Sequence, residues 1–179
     1  MEPVYRPAED SYLLLRHVER FVYGDVLDMG TGSGVQAVGA ASKREVTSVT
    51  AVDLNPAALI DAEKRGAAAG ILWKMRFIQG DLFSGVDGTY DWIVFNPPYL
   101  PSEGSPDEAS WAGGEKGSET IARFLEEAPR HLREGGGILM VYSSLTGLCE
   151  DCFKGYEVEV LEESRLFYET LTCVRFTPS

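Results

Sequence analysis

Residues 25–34 read DVLDMGTGSG. A short apolar run ends at Asp28 and Met29, and glycines then fall at Gly30, Gly32 and Gly34. The run reads as a buried strand. The alternating glycines let the backbone turn tightly and let a bound molecule approach with no Cβ in its way. A helix is expected to follow, over roughly 34–43. Strand, glycine loop and helix in this order open a parallel α/β unit that binds a nucleoside-containing molecule.

The same alternation continues outward. Strand-like runs cover 25–29, 48–54, 74–79, 90–95 and 137–143, and helix-like stretches cover 34–43, 56–69, 117–133 and 145–153. Asn55 is placed to cap the helix that Pro56 opens, while Gly70 and the glycines of 135–137 read as helix stops. Ahead of the first strand, 10–21 carries apolar residues at helical spacing. Residues 156–161 and 170–176 alternate as a strand pair at one edge, with one strand antiparallel. The expectation is a Rossmann-like α/β fold: a seven-stranded, mostly parallel sheet with helices on both faces. One domain is expected over 1–179, made of the helix 10–21, a cofactor-binding core 25–143 and a C-terminal helix and strand pair 145–177.

A chain of 179 residues suffices for one hydrophobic core. No apolar run reaches the ~20 residues that span a bilayer, and MEPVYRPAED lacks the pattern of a signal peptide. A cytosolic location is expected. With 16 basic and 28 acidic residues the net charge is −12. Such a surface repels a nucleic-acid backbone, and Lys43-Arg44, Lys64-Arg65 and Lys74 with Arg76 are scattered rather than gathered into a patch. A protein or small-molecule substrate is favoured, with no direct nucleic-acid binding. Cys149 and Cys152 form a C-x-x-C, but His17 and His131 lie far away and Cys173 falls in a strand-like run. No metal site is expected.

Three carboxylates, two of them with a leucine alongside, are expected to complete a cofactor site. Asp53 ends the second strand, where its carboxylate can accept hydrogen bonds from both ribose hydroxyls, with Leu54 beside it. GDLF (80–83) places Asp81 to accept from an adenine amino group and Leu82 to pack nearby. Asp28, next to the loop of Gly30, Thr31, Gly32 and Gly34, suits an ammonium group and would be unwelcome beside a pyrophosphate. Read from Gly32 to Ala37, however, the loop also fits the dinucleotide fingerprint G-x-G-x-x-A.

The fourth strand ends in NPPY, Asn96 to Tyr99. Pro97 and Pro98 give up two backbone donors and stiffen the chain. The Asn96 carboxamide oxygen can accept one N–H of a planar NH2 group, and the Pro97 carbonyl can accept the other. Tyr99 offers a flat face. This corner suits methylation of an amide or an aromatic amine, whose delocalised lone pair must be fixed in direction. It selects an sp2 NH2 group and not its carrier, so adenine and cytosine amino groups remain open. Asn-Pro is also an ordinary strand-ending turn. The glycine-rich stretch GSPDEASWAGGEKG (104–117) that follows is expected to form a substrate-facing lid.

DMGTGSG, AVDLNP (51–56), GDLF and NPPY, in this order, resemble the class I S-adenosylmethionine-dependent methyltransferases. More narrowly they resemble the HemK-like protein-glutamine methyltransferases that modify peptide-chain release factors. VYRPAEDSYLLL (4–15), WAGG (111–114) and ETLTCVRFTPS (169–179) are similar to the archaeal and eukaryotic branch of that family. The resemblance implies S-adenosyl-L-methionine as cofactor and N5-methylation of the glutamine in a Gly-Gly-Gln tripeptide of a class I release factor. Lysine substrates have also been connected with the family. It further implies that Ser11 lies near the cofactor's carboxylate, although Asp10 or Ser11 could simply cap the first helix. Finally it implies a heterodimer, in which a small zinc-binding activator adds a strand at the sheet edge formed by 74–79, although Lys74 and Arg76 there could equally be ordinary edge protection. The extra N-terminal helical domain of larger bacterial relatives is not expected here.

Overall fold

The computed structural model describes residues 4–98, 118–148 and 150–179. In chain order the elements are α1 (Glu9–Phe21), β1 (Gly24–Met29), α2 (Val35–Ala41), β2 (Val46–Asp53), α3 (Pro56–Ala68), β3 (Met75–Gln79), β4 (Tyr90–Phe95), α4 (Glu119–Glu127), β5 (Leu132–Ser143), β6 (Tyr156–Arg165) and β7 (Thr170–Pro178). Short 3-10 turns span Leu72–Lys74, Ala128–His131 and Glu150–Phe153. The seven strands form one sheet in the order β3-β2-β1-β4-β5-β7-β6. β7 is antiparallel to both its neighbours, and the other pairings are parallel. The α/β class with one antiparallel strand near an edge is therefore as the pattern predicts.

Burial on both faces explains why the central strands read as continuous apolar runs. In β1, Val26 belongs to the core layer under α1 and α2, and Leu27 belongs to the layer under α4. Trp92 and Val94 of β4 alternate with Ile93 and Phe95 in the same way. Leu13, Leu14 and Val18 of α1 join Ala37, Ala40 and Ala41 of α2 on the first face, and Ile121, Phe124 and Leu125 of α4 close the second. At α3, Asn55 accepts from the Ala57 N–H at 2.9 Å and Pro56 occupies the first turn, as its sequence predicts.

Two expectations are corrected. The helix predicted over 117–133 ends at Glu127, and β5 begins at Leu132, so Gly135 to Gly137 lie inside a strand. Tyr90 pairs with Leu132 but Trp92 pairs with Gly137, which is an extended bulge. Gly135 has φ +77°, and a Cβ on Gly136 would stand 2.9 Å from the Arg133 carbonyl oxygen. The glycines permit a bulge rather than stop a helix. The helix predicted over 145–153 is replaced by a tight turn and the 3-10 turn Glu150–Phe153. Thr146 Oγ1 accepts from the Ser143 N–H, Ser143 Oγ accepts from the Leu145 N–H, and Gly147 has φ +69°. Side chains that bond the backbone locally compete with helix formation here.

β1 has β2 on one side and β4 on the other, so the direction of chain winding reverses between β1 and β4. In an open α/β sheet the crevice beyond that reversal is where ligands bind. Met29 pairs with Phe95 across it. The next residues are Gly30 and Asn96, which brings the glycine loop and the NPPY corner side by side.

Candidate active site

The glycine loop is built on left-handed backbone. Gly30, Gly32 and Gly34 have φ of +61°, +52° and +78°, a region L side chains occupy only at a cost. A Cβ on Gly32 would meet nothing nearer than the Gly30 carbonyl at 4.0 Å, so the space above the loop is open to a ligand. The loop is tied down by the Thr31 N–H donating to Val52 O at 2.9 Å and the Gly34 N–H donating to Thr31 O at 2.8 Å. Asp53 reaches across from β2: one oxygen accepts from the Gly32 N–H at 2.8 Å, the other from the Asn55 N–H at 2.9 Å. A carboxylate oxygen carries more than one lone pair, so ribose hydroxyls can still donate to it. Burial raises the Asp53 carboxyl above the ordinary range, against hydrogen bonds that lower it.

Asp28 sits elsewhere than its position at the strand end suggests. It is buried beneath the loop, and its Oδ2 accepts from Thr31 Oγ1 at 2.6 Å and from the Ala37 N–H at 3.0 Å. It therefore braces loop to helix. Burial pushes its carboxyl up to about 7. For an acid whose folded value is raised, stability is full below the unfolded value near ~3.9 and is lost as pH rises towards the folded one. The free protein should thus lose stability relative to Asp28→Asn between about pH 4 and 7, by up to about 4 kcal/mol. Urea titrations at both ends of that range check this; a constant gap between the two proteins would refute it.

At the adenine-facing side expected from sequence, Asp81 Oδ2 accepts from Arg123 Nη2 of α4 at 2.7 Å, and both side chains are exposed. Leu82 has φ +49°, the one positive φ among the described non-glycine residues, and it is buried with Phe83 in the core under α4. Such strain persists only where the surroundings enforce it. Leu54 is exposed beside Asp53.

Asn96 is held from the side of α1. Its Nδ2 donates to Asp10 Oδ2 at 3.1 Å and to Ser11 Oγ at 3.3 Å. Its Oδ1 is buried and has no hydrogen-bond partner among the described residues. An unsatisfied buried acceptor in a native site calls for an explanation, and an absent ligand is one. Neither Asp10 nor Ser11 caps α1, whose N-cap is Ala8 with no side-chain bond. Both lie in its first turn, and Gln36 Nε2 of α2 donates to the Ser11 carbonyl at 2.8 Å, tying that turn to the glycine-loop helix. Pro97 is buried and Pro98 half-buried. Tyr99 and the WAGG loop lie outside the described residues, as does Cys149; Cys152 is half-buried and Cys173 buried. Among the described residues no three His, Cys, Asp or Glu groups converge to hold a metal, and no helix is long and apolar enough to cross a membrane. Sequence reasoning missed Asp10 as a partner of Asn96, Gln36 and Arg123; only PAED, next to the quoted Ser11, hinted at the first.

Residues 7–163 match the methyltransferase small domain family. The chain belongs to that family. It is 36% identical to a putative protein N5-glutamine methyltransferase of Methanocaldococcus jannaschii, over 96% of this chain and 90% of that one. It is 35% identical to a release factor glutamine methyltransferase of Deinococcus radiodurans, over 72% of this chain and 49% of that one, so it spans about half the length of the bacterial relative. The fold matches a ribosomal protein L11 methylase of Lactobacillus delbrueckii with a TM-score of 0.71 over 93% of this chain and 78% of that one, at 23% identity. This family member is an S-adenosylmethionine-dependent N-methyltransferase. The open glycine loop, Asp53 and the unsatisfied Asn96 oxygen fit that cofactor and an NH2-bearing acceptor beside it.

Proposed function

We propose that this methyltransferase acts in the cytosol on the side-chain nitrogen of the glutamine in a Gly-Gly-Gln segment of a class I release factor, together with a small zinc-binding subunit. The observation that carries the reading is the buried, unpartnered Oδ1 of Asn96 at the crevice. The names of the relatives point to glutamine, and the net charge of −12 favours a protein acceptor over a nucleic-acid backbone.

Bound S-adenosylmethionine supplies an electrophilic methyl carbon on a sulfonium sulfur. Gly30, Gly32 and Asp53 would hold its backbone-facing and ribose portions, and Ser11 lies close to the same crevice. Asn96 Oδ1 accepts one N–H of the glutamine amide, and the Pro97 carbonyl accepts the other. The two acceptors fix the nitrogen and offset the positive charge that develops on it. The proline pair keeps the acceptors from yielding, and Tyr99 supplies a flat face for the amide. The charged nitrogen is acidic enough to release its proton to water, so the site needs fixed acceptors more than a base.

β3 is an edge strand, as expected, with Met75, Phe77 and Ile78 half-buried and Trp73 beside it 78% exposed. Such an edge suits addition of a partner strand. Mass spectrometry of a release factor incubated with the chain and labelled cofactor should find one methyl group on the Gly-Gly-Gln glutamine, with a gain when the zinc-binding subunit is added. Label on DNA amino groups or on lysine, with none on the release factor, would overturn the substrate. Full activity and monodispersity alone, with no gain from the subunit, would overturn the heterodimer.

A further inference from the structure

We propose that Asp10 is the positioning residue that decides which end of the Asn96 amide faces the acceptor; this rests on reading Asn96 as the group that holds the acceptor. An asparagine amide has nearly the same shape whichever way it is turned, so its neighbours choose between oxygen and nitrogen. Asp10 Oδ2 stands 3.1 Å from Asn96 Nδ2, and a carboxylate only accepts. Ser11 Oγ donates to Asp10 Oδ1 at 3.2 Å, so with its proton committed there it also faces Asn96 as an acceptor, at 3.3 Å. Both neighbours therefore demand the NH2 end, which turns the buried, unpartnered oxygen away from the first turn of α1. The opposite orientation would set two oxygens face to face at hydrogen-bond distance.

Asp10 is itself held. It is 3% exposed, and its Oδ1 accepts from Tyr5 Oη at 2.8 Å and from the Ser11 N–H at 2.6 Å. With the Ser11 hydroxyl, the first turn of α1 thus delivers an acceptor whose direction is set by three donors on its far oxygen. Hydrogen bonding from the Asn96 NH2 to the carboxylate also draws electron density towards Asn96 Oδ1, which strengthens it as an acceptor.

The isosteric variant separates this role from a merely structural one. In Asp10→Asn the side-chain oxygen must face the Tyr5 hydroxyl and the Ser11 N–H, because the backbone donor cannot be re-aimed. Its NH2 then faces Asn96. The Asn96 amide turns over to accept it and presents its own NH2 to the incoming NH2 group. Asp10→Ala imposes neither orientation. The conservative variant should therefore be the worse one: kcat lowered ~100-fold or more in Asp10→Asn and ~10-fold in Asp10→Ala. The Kd for S-adenosylhomocysteine should stay within about threefold in both, since no cofactor contact is deleted. A structural role predicts the reverse order, with asparagine at or above alanine.

The reciprocal double variant Asp10→Asn with Asn96→Asp should recover activity about tenfold over Asp10→Asn, since a carboxylate at 96 can accept from Asn with one oxygen and offer the other to the acceptor. Should Asp10→Asn fail to fold, the double variant is compared with Asn96→Asp alone. Turnover above that single variant supports the proposal, and equal turnover overturns it. Asn96→Ala distinguishes the two levels. Wild-type turnover in Asn96→Ala removes the reading of Asn96 itself. Loss of turnover in Asn96→Ala, with Asp10→Asn at or above Asp10→Ala, removes only the role of Asp10.

Discussion

Asn96→Ala should lower kcat by ~10²–10³-fold while leaving the affinity for S-adenosylhomocysteine within about threefold, because it deletes one fixed acceptor aimed at the charge that develops in the transition state. The substitution is small and the site should keep its shape. Pro97 and Pro98 fix the backbone independently of the side chain, and Phe95 before it is anchored in the core against Phe124 at a ring separation of 4.4 Å. The structural cost falls on Asp10 Oδ2 and Ser11 Oγ, each of which loses a donor; that should lower stability by about 1–2 kcal/mol. Alanine is the informative choice. Asn96→Asp would set a second carboxylate against Asp10 at 3.1 Å and mix electrostatic repulsion with loss of catalysis. Single-turnover rates with a release factor, set beside calorimetry with S-adenosylhomocysteine, make the measurement. Equal loss of binding and turnover would mean that Asn96 serves the cofactor rather than the acceptor.

The parts of the molecule that were legible from sequence are those whose chemistry is local. The loop of Gly30, Gly32 and Gly34 follows from backbone freedom, Asn55-Pro56 from helix-start chemistry, and Asn96-Pro97-Pro98 from fixed dihedrals and missing donors. Each is decided within a few residues. What was not legible depends on partners far along the chain: Asp10 meets Asn96 across 86 positions and Asp81 meets Arg123 across 42. Asp28 shows the intermediate case. Its place at the strand end was plain, yet whether it faced the crevice or the underside of the loop depended on Thr31 and Ala37 presenting donors to it. Gly135 to Gly137 failed for another reason. A positive φ is equally what a helix terminus and a strand bulge need, and only the pairing with β4 distinguishes them.

Gly34→Ala should be the most damaging single methyl group that can be added to the glycine loop. Gly34 serves as N-cap of α2 with φ +78° and ψ 17°, a conformation that costs alanine about 1–2 kcal/mol. The larger part is steric. The new Cβ would stand 2.6 Å from Ala62 Cβ and 2.7 Å from Ala62 Cα, so it meets the backbone of α3 rather than the end of a flexible side chain. α3 cannot retreat freely, because Ala58, Ala62 and Gly66 form its buried face. Overpacking of this kind costs a further ~1–3 kcal/mol, and the sum of about 2–5 kcal/mol is a large share of the ~5–15 kcal/mol that holds a domain together. The same displacement moves the loop that Asp28, Thr31 and Asp53 fix, so cofactor affinity should fall together with stability. Gly88→Ala is the control: its φ is +86°, but a Cβ there meets nothing within 4 Å, so only the conformational cost of about 1–2 kcal/mol remains. Denaturant midpoints of the two variants make the comparison. Equal destabilisation would mean that α2 and α3 are not packed through Gly34, and that the loop owes its shape to backbone conformation alone.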